Sequence, residues 1–274
     1  MEPLRREHLA GPMVVWIASV AQARDSLVFL EGYLDERDRE RAARFRFAED
    51  RERFVLGRGL LRKGLGRYLQ RDAETVELAY TDRGRPFLAD DETVQFSISH
   101  AHDLVAIALT AEARIGIDLE YVQSDLDFLG LAERIFSEGD LQAFRGLAET
   151  EAPSAFYRAW TRKEAYLKAR GEGIAERLRQ VSVSLNAEEV GSIRDGQDGS
   201  GAPTWRLIAL PLPANYLGSV ACDDPGKRLE CSWVDLDQGK MIWRPCPTFS
   251  SRRGEGPERA TSERFSSGRG TAGN

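Results

Sequence analysis

Cysteine is scarce in this chain, and the three it has, Cys222, Cys231 and Cys246, make neither a CxxC pair nor a zinc-ligand spacing. A disulfide scaffold is therefore not the organising device, and a reducing cytoplasm is the simpler setting. Long apolar runs are lacking too: none approaches the roughly 20 residues of a membrane-spanning helix. The segment MVVWIASVAQA (Met13 to Ala23) resembles the core of a secretory signal, but Glu2 and Glu7 sit among the arginines ahead of it and Gly11-Pro12 precedes it. It reads as a buried first strand, with no membrane partner expected. Positive charge is not in excess, since the formal net charge is −6. That sign argues against general nucleic-acid binding.

The 274 residues are 42% apolar and 30% charged, enough to bury the core of one large domain or two small ones. Charge is unevenly placed. From Arg37 to Arg71 twelve Lys or Arg face five Asp or Glu, a basic face suited to phosphates or an acidic protein, although alternating acids also allow ordinary helix ion pairs. Periodicity predicts a strand at about 13–20, helices near 35–48 and 51–69, and strands at about 75–80, 94–99, 104–110 and 114–121. Phe54, Val55, Leu61, Leu65 and Leu69 form a core-facing stripe on the second helix. Helices near 128–136 and 138–148 and a longer one from 155 to 170 follow, then strands at about 180–185, 205–210, 217–222 and 229–235. This is an α+β plan. TDRGRP (81–86) reads as a turn and Gly191 to Pro203 as a mobile one. The Ser, Gly, Arg and Glu-rich stretch 248–274 lacks apolar periodicity and reads as a disordered tail.

Within this plan two segments carry chemistry. In IGIDLE, Ile115, Ile117 and Leu119 alternate with Gly116, Asp118 and Glu120, the period of a strand with one buried face. Asp118 and Glu120 then project from the same side, roughly 6.5 to 7 Å apart at the backbone. Such a pair either faces water or holds a hard cation such as Mg²⁺ with substrate phosphates. WTRKEAYLK begins 42 residues after Asp118 and lies on a helix opened by Pro153 and closed by Gly171. Glu164 and Lys168 stand four apart there, as a simple surface ion pair also would. His100 ends the alternating strand SIS, where a lone histidine is ordinarily structural.

Together the two segments resemble the 4'-phosphopantetheinyl transferases of the surfactin-synthetase-activator (Sfp-like) type, marked by a GIDxE strand and a WxxKExxxK helix. Further matches lie upstream in order: ERAARFRFAEDRERF (Glu40 to Phe54), GRPFL (Gly84 to Leu88) and FSISHA (Phe96 to Ala101). The likeness covers about residues 14 to 222. It implies two similar α+β subdomains related by a pseudo-twofold axis, 1–112 and 113–247, acting as a monomer with the substrate between them. The implied reaction moves the 4'-phosphopantetheine arm of coenzyme A to a serine of an apo acyl or peptidyl carrier protein and releases adenosine 3',5'-bisphosphate. Carriers of fatty-acid, polyketide and nonribosomal-peptide assembly all qualify.

By that resemblance Asp118, Glu120 and Glu164 hold Mg²⁺, Glu164 is also the general base, Lys168 stabilises the departing phosphate, and Lys163 contacts the phosphates. Ser99 and His100 match the motif that binds the 3'-phosphate and adjoining phosphates of coenzyme A. Arg53 matches a 3'-phosphate contact, Arg85 reaches the nucleotide end, and Arg37 lies near a position where relatives carry a lysine. Trp160 is expected to pack the helix, and FSEGDLQAF (Phe136 to Phe144) to help dock the carrier. Two other classes use overlapping residues. A Mg²⁺-dependent phosphodiesterase or pyrophosphatase would need no protein acceptor, and a noncatalytic coenzyme A-binding module would not need Glu164 and Lys168.

Overall fold

The computed structural model describes residues 11–172, 177–196, 204–238 and 240–246; the expected tail at 248–274 lies outside them. Strand β1 (Met13–Ser19) is buried at every residue. Its run of apolar residues, without alternation, follows from being covered on both faces. Val14, Trp16 and Ala18 face one core, and Met13, Val15 and Ile17 face another. A short helix α1 (Val20–Ala23), capped by the Ser19 hydroxyl, and α2 (Leu27–Gly32) follow. Then come α3 (Glu36–Ala43) and the long α4 (Ala48–Leu69), whose Val55, Leu56, Leu60, Leu61 and Leu65 pack on the first core.

Beyond the hairpin β2 (Leu78–Tyr80) and β3 (Pro86–Leu88), strands β4 (Val94–Ala101) and β5 (Leu104–Ala111) form a second hairpin, and β6 (Ile115–Tyr121) starts another sheet. Helices α5 (Phe128–Ile135), α6 (Glu138–Arg145) and α7 (Ala152–Arg170) come next. Strands β7 (Val181–Val183), β8 (Val190–Gly191), β9 (Ile193–Asp195), β10 (Arg206–Ala209), β11 (Tyr216–Cys222), β12 (Leu229–Asp237) and β13 (Lys240–Pro245) complete the described chain.

One sheet has the order β13-β12-β1-β5-β4 and the other β6-β11-β10-β8. Helix α4 packs on the first and α7 on the second, so each half is a sheet covered by one long helix. The inner faces of the two sheets share a third core that includes Val15, Ile17, Ala106, Ile115, Ile117 and Val220. Helix α7 lies so close to β6 that a Cβ on Gly116 would sit 2.1 Å from the Ala165 carbonyl oxygen. Only glycine permits that approach, and it brings the acidic strand against the WxxKExxxK helix.

The structure corrects three expectations. The strand expected at about 229–235 to complete the second half within 113–247 instead joins the first half's sheet: β12 runs parallel to β1, and β13 pairs with β12. Crossing back buries Val234 and Met241 in the first core. Part of the Gly191–Pro203 turn is strand β9, while 197–203 lie outside the described residues. Phe136 and Phe144 of the expected docking segment are buried in the second half's core, edge to face at 5.4 Å, so these two rings offer no docking surface.

Candidate active site

A cleft of about 690 Å³ opens between the halves. Arg41 of α3, Arg53 and Arg58 of α4, Arg83 and Arg85 of the 81–86 turn, His100 at the end of β4 and Lys168 of α7 all line it. Acidic groups lie at the Lys168 end. Asp118 is 2% exposed; its Oδ1 accepts from Lys168 Nζ at 2.5 Å and from Ser99 Oγ at 2.9 Å. Lys168 Nζ also lies 3.5 Å from Glu164 Oε2. Glu120, two residues beyond Asp118, accepts from the Trp160 indole N–H at 3.1 Å. Trp160 thus does more than pack: it fixes the direction of a carboxylate.

The electrostatics follow from burial. Desolvation raises the Asp118 carboxyl against the pull of Lys168 and Ser99, and desolvation plus the Asp118 charge raises Glu120. Glu164, desolvated and facing both Asp118 and Glu120, is pushed up to about 7. Burial alone would lower Lys168, but Asp118 and Glu164 outweigh it and raise the ammonium. Two carboxylates thus share one ammonium with a third, Glu120, nearby, and the Asp118 Oδ2 atom is buried without a hydrogen-bond partner. An oxygen-seeking divalent cation would relieve both conditions. Among the described residues no three ligands converge into a ready-made cage, and Mg²⁺ commonly takes one or two carboxylates together with substrate phosphates. The residues present fit such an ion.

Serines join the two sheets here. The Ile117 N–H donates to Ser97 Oγ at 3.2 Å and the Leu119 N–H to Ser99 Oγ at 3.3 Å. Hydroxyls on β4 thereby take the place of ladder carbonyls along β6. The Ser99 hydroxyl, expected to bind phosphate, is buried; it donates to Asp118 and accepts from the Leu119 amide, and so orients Asp118. His100 does face the cleft. Its imidazole is pushed below the usual value by desolvation and by Arg53 and Lys168.

Other sites move further. Lys163 is fully buried on the opposite side of α7: Nζ donates to the Leu178 carbonyl at 2.9 Å and to that of Val181, and pairs with Asp140 at 2.8 Å. Adjacent helix residues diverge by roughly 100°, so with Glu164 turned toward Lys168 and Asp118, Lys163 turns to the core. It does not line the cleft. Arg37 is also displaced, its guanidinium lying 3.7 Å from the Tyr80 ring centroid, outside the cleft lining; Arg41, one turn on, takes the place facing the cleft. Arg53 stands at the cleft, held by Asp50 at 2.5 Å and by the His102 carbonyl at 2.8 Å.

Arg85 lines the cleft, yet its guanidinium faces backbone. Nη1 donates to the Lys168 carbonyl at 2.6 Å, and Nη2 to those of Phe96 at 3.4 Å and Ile115 at 3.3 Å. Desolvation lowers its pKa. The sequence reading missed Arg41, Arg58 and Arg83. Arg58 follows Phe54 by four residues on α4, so the i, i+4 rule applied to the Phe54 stripe would have found it.

Models of the 4'-phosphopantetheinyl transferase superfamily match residues 114–221, and of the 4'-phosphopantetheinyl transferase N-terminal region residues 20–112. The chain is 35% identical to the 4'-phosphopantetheinyl transferase HetI of Nostoc sp. over 78% of this chain and 88% of that protein. This chain belongs to the 4'-phosphopantetheinyl transferase family. The transferase is also 30% identical to a putative 4'-phosphopantetheinyl transferase of Synechocystis sp., over 74% of this chain and 85% of the relative. Sfp of Bacillus subtilis is 30% identical over 57% of this chain and 68% of its own length. No helix among the transferase's described residues is long and apolar enough to cross a membrane.

Proposed function

We propose that this transferase moves the 4'-phosphopantetheine arm of coenzyme A to a serine hydroxyl of an apo acyl or peptidyl carrier protein, with Mg²⁺, releasing adenosine 3',5'-bisphosphate. The observation that carries this reading is the cluster of Asp118, Glu164 and Lys168 at one end of an arginine-lined cleft. Cations along the cleft suit a nucleotide bearing several phosphates, and an arginine fork matches phosphate oxygens. Arg53, Arg41, Arg83 and His100 are the candidates for those contacts.

At the reacting end the serine hydroxyl must lose a proton as its oxygen bonds to the phosphorus bearing pantetheine, and the phosphoanhydride to the adenosine moiety must break. Glu164, at about 7, is poised near neutrality to accept that proton. Lys168, kept protonated by Asp118 and Glu164, stays beside the phosphate that departs and offsets its growing charge. Ser99 holds Asp118, and Trp160 holds Glu120, so neither carboxylate must be ordered when substrate arrives. Carboxylates drawn from Asp118, Glu120 and Glu164, together with substrate phosphates, would hold Mg²⁺, which when bound would supply Lewis-acid polarisation of the pyrophosphate.

Intact mass of an apo carrier incubated with the transferase, coenzyme A and Mg²⁺ tests the reading, with a serine-to-alanine carrier as control. One phosphopantetheine added to the serine form alone is the expected result. No addition across fatty-acid, polyketide and peptide carriers, with coenzyme A hydrolysed instead, would replace the reading with a hydrolase.

A further inference from the structure

We infer that Arg85 is a positioning residue: reaching from the first half, it caps the C-terminus of the helix bearing Glu164 and Lys168 and ties that helix to β4 and β6. Three carbonyls from three elements converge on one guanidinium. Lys168 supplies the carbonyl of the last turn of α7, Phe96 that of β4, and Ile115 the first carbonyl of the acidic strand. Among the described residues Arg85 forms no ion pair, so its charge is balanced by carbonyl dipoles. A helix C-terminus is the place where a cation is favoured.

The end of α7 is built for this. Gly171 takes φ +71, and its N–H and that of Glu172 turn back to the Lys168 and Leu167 carbonyls, the glycine-closed ending of many helices. The Arg85 Nη1 atom lies 3.6 Å from where a Gly171 Cβ would be, so the guanidinium packs against this turn at ordinary contact distance, and it is the positive φ that calls for glycine. On the other side, the turn is held by Gly84 N–H to the Thr81 carbonyl at 2.8 Å, Thr81 N–H to the Arg85 carbonyl at 2.9 Å, and Arg85 N–H to Thr81 Oγ1 at 3.1 Å. Thr81, Asp82 and Arg83 of that turn line the cleft. A substrate that seats against the turn therefore meets a segment fastened to the backbone of Lys168 itself.

The role differs from a nucleotide contact in what it predicts. A cation that only binds coenzyme A affects KM; a strut that sets Lys168 against Asp118 affects kcat, and a misplacement of about 1 Å can cost about 100-fold. The test rests on the transferase reading for its kinetics and on amide hydrogen exchange for a readout independent of it. For Arg85→Gln in the full chain, kcat is expected to fall about 100-fold while KM for coenzyme A stays within about threefold. The amides of Gly171 and Glu172 should exchange faster, with those of the middle of α4 unchanged. Arg85→Lys, which keeps one donor for the Lys168 carbonyl, should recover about tenfold of the lost kcat; it carries the same comparison if the glutamine variant does not fold. A KM raised about tenfold at unchanged kcat, or unchanged exchange at Gly171 and Glu172, would overturn the strut. An inactive wild type with altered exchange in the variant would sink the transferase reading and leave the strut standing.

Discussion

The two halves of the molecule gather opposite charge: the first lines the cleft with arginines, and the second sets carboxylates beside Lys168 at the end of it. The first contributes arginines on two helices and a turn, held by stacking and by single carboxylates: Arg53 by Asp50, Arg58 by Asp38 at 3.7 Å and beside the Phe54 and Tyr80 rings. The second contributes Asp118, Glu120 and Glu164, all raised by desolvation and gathered about one ammonium. On the proposed function such a division would separate grip from chemistry, apart from Arg85, through which the first half also bears on rate.

Removing the hub of the second half should have the largest effect. Asp118→Ala is expected to lower turnover of an apo carrier about 10³-fold while coenzyme A affinity, read by calorimetry, changes little; lost affinity at intact turnover would erase the division. Glu164→Gln should cost about 10²-fold in kcat as the proton acceptor is removed, and near-normal turnover in the folded variant would refute its role as base. On the other side, Arg53→Ala should raise KM for coenzyme A about 10- to 100-fold, the worth of a hydrogen bond to a charged group, with kcat nearly kept. Equal falls in kcat and kcat/KM would place Arg53 in the transition state and blur the halves. Lys163→Met should leave turnover per folded molecule unchanged and destabilise the protein by about 3–5 kcal/mol, because Asp140 is left buried and unpaired. Adding Asp140→Leu should restore much of the melting temperature.

The smallest effect is a slope. Burial and the neighbouring carboxylates raise Glu164 from 4.5 to about 7, so the folded protein without metal holds a proton that the unfolded chain releases sooner. The stability this gives is fully present below the unfolded value and is lost as pH rises through about 7. Between about pH 5 and 8, metal-free wild type should lose melting temperature more steeply than Glu164→Gln, which stays neutral. Parallel slopes would show that Glu164 does not carry the strain of the crowded carboxylates.

Much of this was legible because period and punctuation are local. The alternation of IGIDLE fixed which side Asp118 and Glu120 share, and Pro153 and Gly171 bounded the helix within a few residues of Ala152–Arg170. The failures came where direction depends on a distant partner. Lys163 and Lys168 sit five residues apart on one helix, yet Asp140 and two carbonyls draw one into the core and Asp118 draws the other to the cleft. Nothing in SISH shows that β4 lies beside β6 and that the Ser99 hydroxyl meets Asp118 and the Leu119 amide there. Arg85 was recognised as a residue of the cleft, but the carbonyls that hold it come from positions 96, 115 and 168. No window of sequence contains them together.

During synthesis β1 has a long wait. Val14 meets Leu109 on one side and Glu230 on the other, and at roughly 5–20 residues per second the ribosome takes on the order of ten seconds to travel between those two partners. For that interval the nascent first half carries an apolar strand with one open edge, a template for unwanted pairing. Chaperone engagement and misassembly should therefore concentrate before Leu229 emerges, and the arginine-bearing half should gain its final rigidity only after the carboxylate-bearing half has already been made.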